Sequence, residues 1–407
     1  MEVELRAVAE PELDAFLLAD AYGFGFRWGI DDGSAWPRHE LDRTVAAYVD
    51  GEIVATGRNY TLELTMSGGG IVPAGGVSWI STRPTHRRRG LLTRVMRHLV
   101  EESQARGEVA STLTASEGGI YSRFGYGVAT RVATFEFPRP GTEFGAPAHA
   151  TATVRMVEPD VARPIAGALF DRIRRDRVGS VSRPDDWWVD EWASEEWIDA
   201  KRRFDVVVDI DGVPAGHAIY AVDGEYREGF SEKVVNVRDL LAVSPEAELA
   251  LWYFLAQVDQ TVAVRAWNRP LDDALPWLVT DARHVRTRGV RDFLWLRPID
   301  TAALLAARTY GAEGSLTLAV ADPFLALDAT AGTFTIDGGP DGAECRRTGR
   351  APDLVLDAAE LGAIVLGGVR PSVLERARRI GVPDPDVLPR ADAMFGAERE
   401  PYASTWF

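Results

Sequence analysis

Cysteine is almost absent from this chain. Cys345 is the only one in 407 residues, so no intrachain disulfide can form and a reducing compartment is the simple reading. Lysine is nearly as scarce: Lys201 and Lys233 are the only two among 45 basic residues, a bias of arginine-rich coding with no bearing on mechanism. No run of 18 apolar residues occurs anywhere, which excludes a spanning helix on length. The opening Met-Glu-Val-Glu-Leu-Arg lacks the basic segment and apolar stretch of a secretion signal, so a cytoplasmic location is expected. The six histidines, His39, His86, His98, His149, His217 and His284, never fall at metal-ligand spacing, and neither a His-Glu-x-x-His run nor a paired-cysteine motif is present. No metal is therefore expected. Positive charge is in deficit as well. The 45 basic residues face 61 acids, a formal charge of −16, which is the wrong sign for a general nucleic-acid or anionic-membrane binder and suits a cationic partner better.

Hydrophobic residues make up 46% and charged residues 26% of the chain, close to globular averages. At roughly 100 to 200 residues per domain the length implies two to four domains. The first, 1–140, mixes strands and helices. Glu2 to Ala9 alternates like a strand, and Leu13, Phe16, Leu17 and Ala21 share one helical face. A Gly- and aromatic-rich loop spans Gly23 to Gly33, and Thr44 to Val49 and Ile53 to Leu64 form a hairpin turned at Asp50-Gly51. Leu91, Leu92, Val95, Met96, Leu99 and Val100 repeat at helical spacing and predict a helix closed by Gly107. Pro138 to Pro147 reads as a linker. A second domain, 150–295, repeats the strand, turn and helix order, with a hairpin at Asp211-Gly212 and a helix opened by Ser244-Pro245-Glu246. A third, 296–407, begins with a helix from Asp300 to Thr309 and continues through short strands and helices. The expected fold class is mixed α+β.

The sharpest local feature is Arg83-Pro-Thr-His-Arg-Arg-Arg-Gly90-Leu-Leu-Thr, between a strand and the start of an amphipathic helix. From Arg83 to Arg97 there are six arginines and no acid. Positive side chains at a helix N-terminus oppose the helix dipole, at a cost of about 0.3 to 1 kcal/mol each when exposed; a bound anion reverses that sign. Free first-turn amides, with Gly90 permitting close approach, suit a phosphate or pyrophosphate. A solvated basic helix start is the plainer alternative. The corresponding turn of the second domain, Val243-Ser-Pro-Glu-Ala-Glu, has neither Arg nor Gly and is not expected to bind a pyrophosphate.

Val77-Ser-Trp-Ile-Ser-Thr, the Arg87-x-x-Gly90 turn and Ala115-Ser-Glu-Gly-Gly-Ile-Tyr-Ser-Arg-Phe-Gly-Tyr-Gly127 together resemble the GNAT acetyltransferases, and more narrowly the Eis (enhanced intracellular survival) family. Asp322-Pro-Phe, Pro352-Asp-Leu and Leu361-Gly-Ala-Ile-Val-Leu-Gly-Gly resemble sterol carrier proteins. The resemblance covers the whole chain and implies two tandem GNAT-like domains, of which only the first keeps the coenzyme turn, followed by a sterol-carrier-protein-like domain that delivers the C-terminal carboxylate. It also implies acetyl-CoA as co-substrate. Ile80, Ser81 and Thr82 would present main-chain groups to the pantetheine arm, Arg88, Arg89, Gly90, Leu91, Leu92 and Thr93 would wrap the pyrophosphate, and Ser116 and Glu117 would complete the contacts.

Amide formation from an amine and a thioester needs one proton removed from the amine and one given to the leaving thiolate. The resemblance assigns the acid to Tyr121, whose ordinary pKa of about 10 keeps it protonated at neutral pH; a packed core tyrosine is the alternative, and the better reading for Tyr126. It assigns the base to the carboxylate of Phe407, at the end of an apolar Trp-Phe terminus that otherwise reads as an anchor for the tail. An α-carboxyl near pKa 3.3 to 3.7 accepts protons poorly unless desolvated, so orienting the ammonium is its larger expected role. The family's acceptor positions match Phe24, Trp36, Met66 and Trp79, aromatic walls suited to a polycation. Members often carry an acidic penultimate residue; here it is Trp406. The expectation is an N-acetyltransferase acting on amines of polycationic small molecules such as aminoglycosides, assembled as a homohexamer. The alternatives are acetylation of protein or peptide lysine or of another metabolite amine, and a non-catalytic acyl-CoA or lipid sensor.

Overall fold

The fold is described from a computed structural model covering residues 2–25, 40–147, 151–190 and 203–407. Three sheets organise the chain. The first has seven strands in the order Glu4–Ala7, Thr44–Val49, Glu52–Thr65, Ile71–Thr82, Ala110–Thr114, Leu294–Pro298 and Gly127–Val128. The second also has seven: Arg286–Asp292, Arg131–Pro138, Ala263–Arg269, Val234–Ala242, Val213–Asp223, Arg203–Ile210 and Ala152–Val157. A four-stranded sheet follows in the order Gly342–Arg347, Gly332–Gly339, Gly314–Ala321 and Leu354–Asp357.

Local signals translate directly into elements. Both expected hairpins form, and Asp50, Gly51, Asp211 and Gly212 all adopt the left-handed φ that a tight hairpin turn demands. The periodic apolar run becomes the helix Leu91–Ala105, which buries Leu91, Val95, Met96, Leu99 and Val100. That stripe packs with Val45, Ala47, Val54, Ala55, Val77 and Leu113 of the sheet, each fully buried Val, Leu or Met side chain contributing roughly 1.5 to 3 kcal/mol. The first helix, Leu13–Phe24, stops at Gly25 with φ 83°.

The boundary drawn at residue 140 needs correction. Arg131–Pro138 pairs with Ala263–Arg269 and Arg286–Asp292 in the second sheet, and Leu294–Pro298, which straddles the boundary drawn at 295, pairs with Ala110–Thr114 in the first. The first stretch thus gives a strand to the second sheet, and the first sheet takes one from the junction of the second and third stretches. The compact units are 1–130 with 293–398 and 406–407, and 131–292 with 399–405. Strand alternation shows which face is buried but not which sheet a strand joins. Asp322, singled out in the sequence, is a fully buried structural partner: its carboxylate pairs at 2.7 Å with Arg297, whose other terminal nitrogen donates to the Phe124 carbonyl, also at 2.7 Å.

Candidate active site

Within the first sheet, Ile71–Thr82 and Ala110–Thr114 run parallel only from the Ala74 and Ala110 pair to the Val77 and Leu113 pair. Thr114 then pairs with Leu294, while Ser78 and Ser81 remain laddered to Arg58 and Thr56 of the neighbouring hairpin strand. The two strands part at this point. A β-bulge sits on the open side: register slips between Thr56 and Arg58, and Trp79 takes φ 53°, a left-handed conformation that costs a non-glycine residue about 1 to 2 kcal/mol. Local bonds hold it there. Thr56 Oγ1 donates to the Trp79 carbonyl at 2.8 Å, the Trp79 indole donates to the Tyr60 hydroxyl at 2.9 Å, and Ser81 Oγ lies 2.8 Å from Thr56 Oγ1. Ile80, Ser81 and Thr82 follow the bulge directly, where the strand has left its parallel partner.

The basic turn comes next. Pro84–His86 forms a short 3-10 turn, Arg88 takes φ 62° and Gly90 φ 78°. No side chain caps Leu91–Ala105, and its first turn holds no acid. A Cβ built on Gly90 meets nothing within 4 Å, so the turn lies open on that side. The arginines divide in role. Arg87 donates to the carbonyls of Gly23 at 2.6 Å and Thr82 at 3.3 Å and so ties the turn to the first helix and the bulged strand. Arg88 and Arg89 are exposed. Leu91 is buried in the core, leaving its main-chain amide as the group it can offer; Leu92 is half-buried and Thr93 exposed. An uncapped helix start among cations fits an anionic coenzyme.

Tyr121 ends the short helix Gly118–Tyr121 that opens after Glu117 and is buried. Burial pushes its phenol above the ordinary tyrosine value, opposed by a hydrogen bond with Ser116 and assisted by the Glu117 charge. The proton is thereby held through neutral pH. Tyr126 is fully buried, 2.7 Å from Ser111 Oγ, with its pKa pushed by burial to about 12, consistent with a core role. Ser116 and Glu117 lie exposed at the end of the strand that carries Thr114.

Phe407 reaches the point where the strands part. Only 6% of it is exposed. Its ring meets Tyr60 edge-on at 6.2 Å, a Cβ on Gly76 would come within 3.1 Å of its Cε2, and Thr114 Oγ1 donates to its main-chain oxygen at 3.3 Å. Trp406 is 40% exposed, with its ring 5.9 Å from Phe293. Of the expected acceptor residues, Trp79 lies at this place, its indole bonded to Tyr60, and Phe24 ends the first helix with 49% of its surface exposed. Trp36 lies outside the described residues. Met66 is 1% exposed at the hairpin tip, where its amide donates to the Gly70 carbonyl. It stands six residues beyond Tyr60, about 20 Å along the strand. Tyr60, Gly76 and Thr114 escaped the sequence reading because strand alternation marks them only as ordinary sheet positions.

Comparison with known proteins now bears on this geometry. Residues 4–129 and 179–298 each match an acetyltransferase (GNAT) domain family, and residues 301–404 match a sterol carrier protein domain family. The chain is 33% identical to N-acetyltransferase Eis of Mycobacterium tuberculosis, over 98% of each chain. The chain belongs to the Eis family of N-acetyltransferases. An uncharacterized N-acetyltransferase of Streptomyces avermitilis is 32% identical over 100% of this chain and 99% of its own. The crystal structure of Eis1 from Mycobacterium abscessus superposes with a TM-score of 0.85 at 32% identity, each chain covered completely. This Eis-family enzyme therefore comprises two GNAT domains followed by a sterol-carrier-protein-like domain. GNAT acetyltransferases use acetyl-CoA, and the uncapped basic turn and the parted strands of the first domain are where its own residues suit that coenzyme. Among the described residues no helix is long and apolar enough to cross a membrane.

The second GNAT domain of this Eis-family enzyme keeps the parting but not the anion turn. Val234–Ala242 and Ala263–Arg269 are parallel only as far as the Val237 and Ala266 pair, with a register slip at Ile219 and Tyr220 opposite Asp239 and Val237. Its helix Pro245–Ala256 is closed by its own cap, Ser244 accepting from the Ala247 amide, and carries Glu246 and Glu248 in the first turn.

Proposed function

We propose that this enzyme transfers the acetyl group of acetyl-CoA to amines of polycationic small molecules such as aminoglycosides, at more than one position, by direct transfer in a ternary complex. The observation that carries the reading is the place of Phe407: its main-chain oxygen accepts from Thr114 where the two central strands part. In this reading Arg88, Arg89 and the amides from Gly90 to Thr93 hold the pyrophosphate, Ile80 to Thr82 line the pantetheine arm, and Ser116 and Glu117 flank it. The amine lone pair forms a C–N bond to the acetyl carbon as the C–S bond breaks. The departing thiolate takes the Tyr121 proton, and the ammonium proton passes to the Phe407 carboxylate; both groups reset through solvent. Burial supports the first transfer by keeping Tyr121 protonated, a role that contributes about 10²- to 10⁴-fold in comparable sites. Tyr60, Trp79 and Phe24 form the acceptor wall.

The charge distribution supports a cationic acceptor. Residues 1–63 hold 13 acids against five arginines, net −8, whereas residues 83–97 hold six arginines and no acid. Thiol release from acetyl-CoA should be fastest with aminoglycosides in a panel that also contains polyamines and lysine peptides, with product masses increased by two or more acetyl groups. Fastest turnover on peptides, or no turnover on any amine, would overturn the substrate assignment. The assembly proposed with it is a homohexamer, checked by native mass.

A further inference from the structure

The turn that carries Tyr121 is braced by residues far along the chain. Tyr121 lies in the GNAT match 4–129, whereas Arg297 falls in the strand Leu294–Pro298 and Asp322 in the stretch 301–404 that matches sterol carrier proteins. All three belong to one compact unit. Gly118–Tyr121 passes directly into the 3-10 turn Ser122–Phe124, which stops at Gly125 with φ 84°. The Gly125 amide donates to the Ser122 carbonyl at 3.0 Å, and the Tyr126 amide donates back to the Tyr121 carbonyl at 3.3 Å. Arg297 Nη1 donates to the Phe124 carbonyl at 2.7 Å, and Nη2 of the same guanidinium donates to Asp322 at 2.7 Å. Both charged side chains are fully buried. The Leu327 amide donates to the same Asp322 oxygen at 3.2 Å, and the Phe324 ring meets Phe124 edge-on at 4.9 Å.

The backbone is fitted to the same place. A Cβ on Gly125 would collide with the Arg297 guanidinium, one on Gly127 with the Ala359 carbonyl, and one on Gly362 with the Leu296 carbonyl. The helix Ala358–Ile364 therefore lies main chain to main chain against the strand that leaves the turn. Burying an ion pair gains little stability, because desolvation offsets most of the attraction. A planar guanidinium shared between a carboxylate and a carbonyl fixes direction instead. Phe124, the residue so fixed, stands three positions after Tyr121.

We propose that Arg297 and Asp322 are positioning residues for the Tyr121 phenol, with Asp322 aiming the guanidinium at the Phe124 carbonyl and so fixing the turn on which the phenol stands. The proposal rests on the reading of Tyr121 as the acid. It gives the sterol-carrier-like domain, through Asp322, a share in placing the proton donor.

Arg297→Met combined with Asp322→Leu replaces the pair by apolar side chains and buries no unpaired charge, so the fold should survive; Asp322→Asn keeps the shape and is the gentler variant. Turnover is counted per acetyl-CoA site, titrated by calorimetry. The kcat should fall about tenfold in the paired variant and about threefold in Asp322→Asn, with the KM for acetyl-CoA unchanged, since misplacement by about 1 Å costs up to about 10²-fold. The deciding measurement repeats both variants in Tyr121→Phe enzyme. Residues that act through the phenol then have nothing left to place, so kcat should equal that of Tyr121→Phe alone. If the losses multiply instead, or if the paired variant keeps wild-type kcat while Tyr121→Phe does not, the pair is structural only and the acid survives. If Tyr121→Phe itself retains full turnover, both readings fail.

Discussion

The two GNAT domains of this chain make opposite use of one architecture. Both have a hairpin, a parallel pair of strands that parts, and a helix beginning just beyond the bulged strand. In the first, the helix start is left without a side-chain cap, ringed by arginines and opened by Gly90. In the second, Ser244 satisfies the first turn and two glutamates complement its dipole. An uncapped N-terminus among like charges is unfavourable in isolation and is tolerated where an anion completes it. A capped, acidic start needs no ligand. The fold therefore tells little about which copy binds coenzyme, whereas the first helical turn tells a great deal.

The most severe test of this contrast is at the chain end. Amidating Phe407, or appending one residue, should lower turnover by about 10³-fold or more while calorimetry shows unchanged acetyl-CoA affinity, the range expected when a general base is lost. Undiminished turnover would leave the first domain without its base and Phe407 as an anchor. Tyr121→Phe should follow at about 10²-fold, whereas Tyr126→Phe should cost roughly 1 kcal/mol of stability through the lost Ser111 bond and leave kcat nearly unchanged. The pH profile sharpens that pair. Tyr121 is displaced upward by burial, so it donates while protonated and the basic limb of kcat should lie above the ordinary tyrosine value of about 10; a limb well below it would point to another acid.

The helix starts come next in size. Arg88→Ala with Arg89→Ala should raise the acetyl-CoA KM about tenfold, most strongly at low salt, for two lost contacts of about 0.5 to 1 kcal/mol each. Glu246→Ala, at the matching turn of the second domain, should leave that KM unchanged. An equal effect at both turns would dissolve the distinction between the copies. The smallest expected effect is on the acceptor: its KM should rise severalfold between low and physiological salt as charges on the net −8 segment 1–63 are screened. A KM indifferent to salt would remove electrostatics from acceptor recognition.

Much of the candidate site was legible because it is local. The arginine turn, Gly90, Ser116, Glu117 and Tyr121 lie in two continuous runs, and the helix stripe from Leu91 to Val100 declared its own core face. What failed to be legible depends on register. Met66 and Tyr60 are similar strand positions when only alternation is available; pairing Tyr60 with Gly76, beneath the Phe407 ring, is what distinguishes them. The pairings of Arg131–Pro138 and Leu294–Pro298 were invisible for the same reason, since each looks like an ordinary half-buried strand wherever it pairs.

By itself the sequence determined the class of chemistry: an arginine-ringed turn in one copy, a capped acidic turn in the other, a tyrosine at helical remove from a strand end, and an apolar terminus unsuited to solvent. These are properties of contiguous residues, set by dihedral preference, capping and charge. Only the tertiary structure decided that Phe407 meets Tyr60, Gly76 and Thr114, and that Arg297 reaches the Phe124 carbonyl. Those contacts join residues more than a hundred positions apart, and the physical determinant is strand order and register, which pattern alone leaves open.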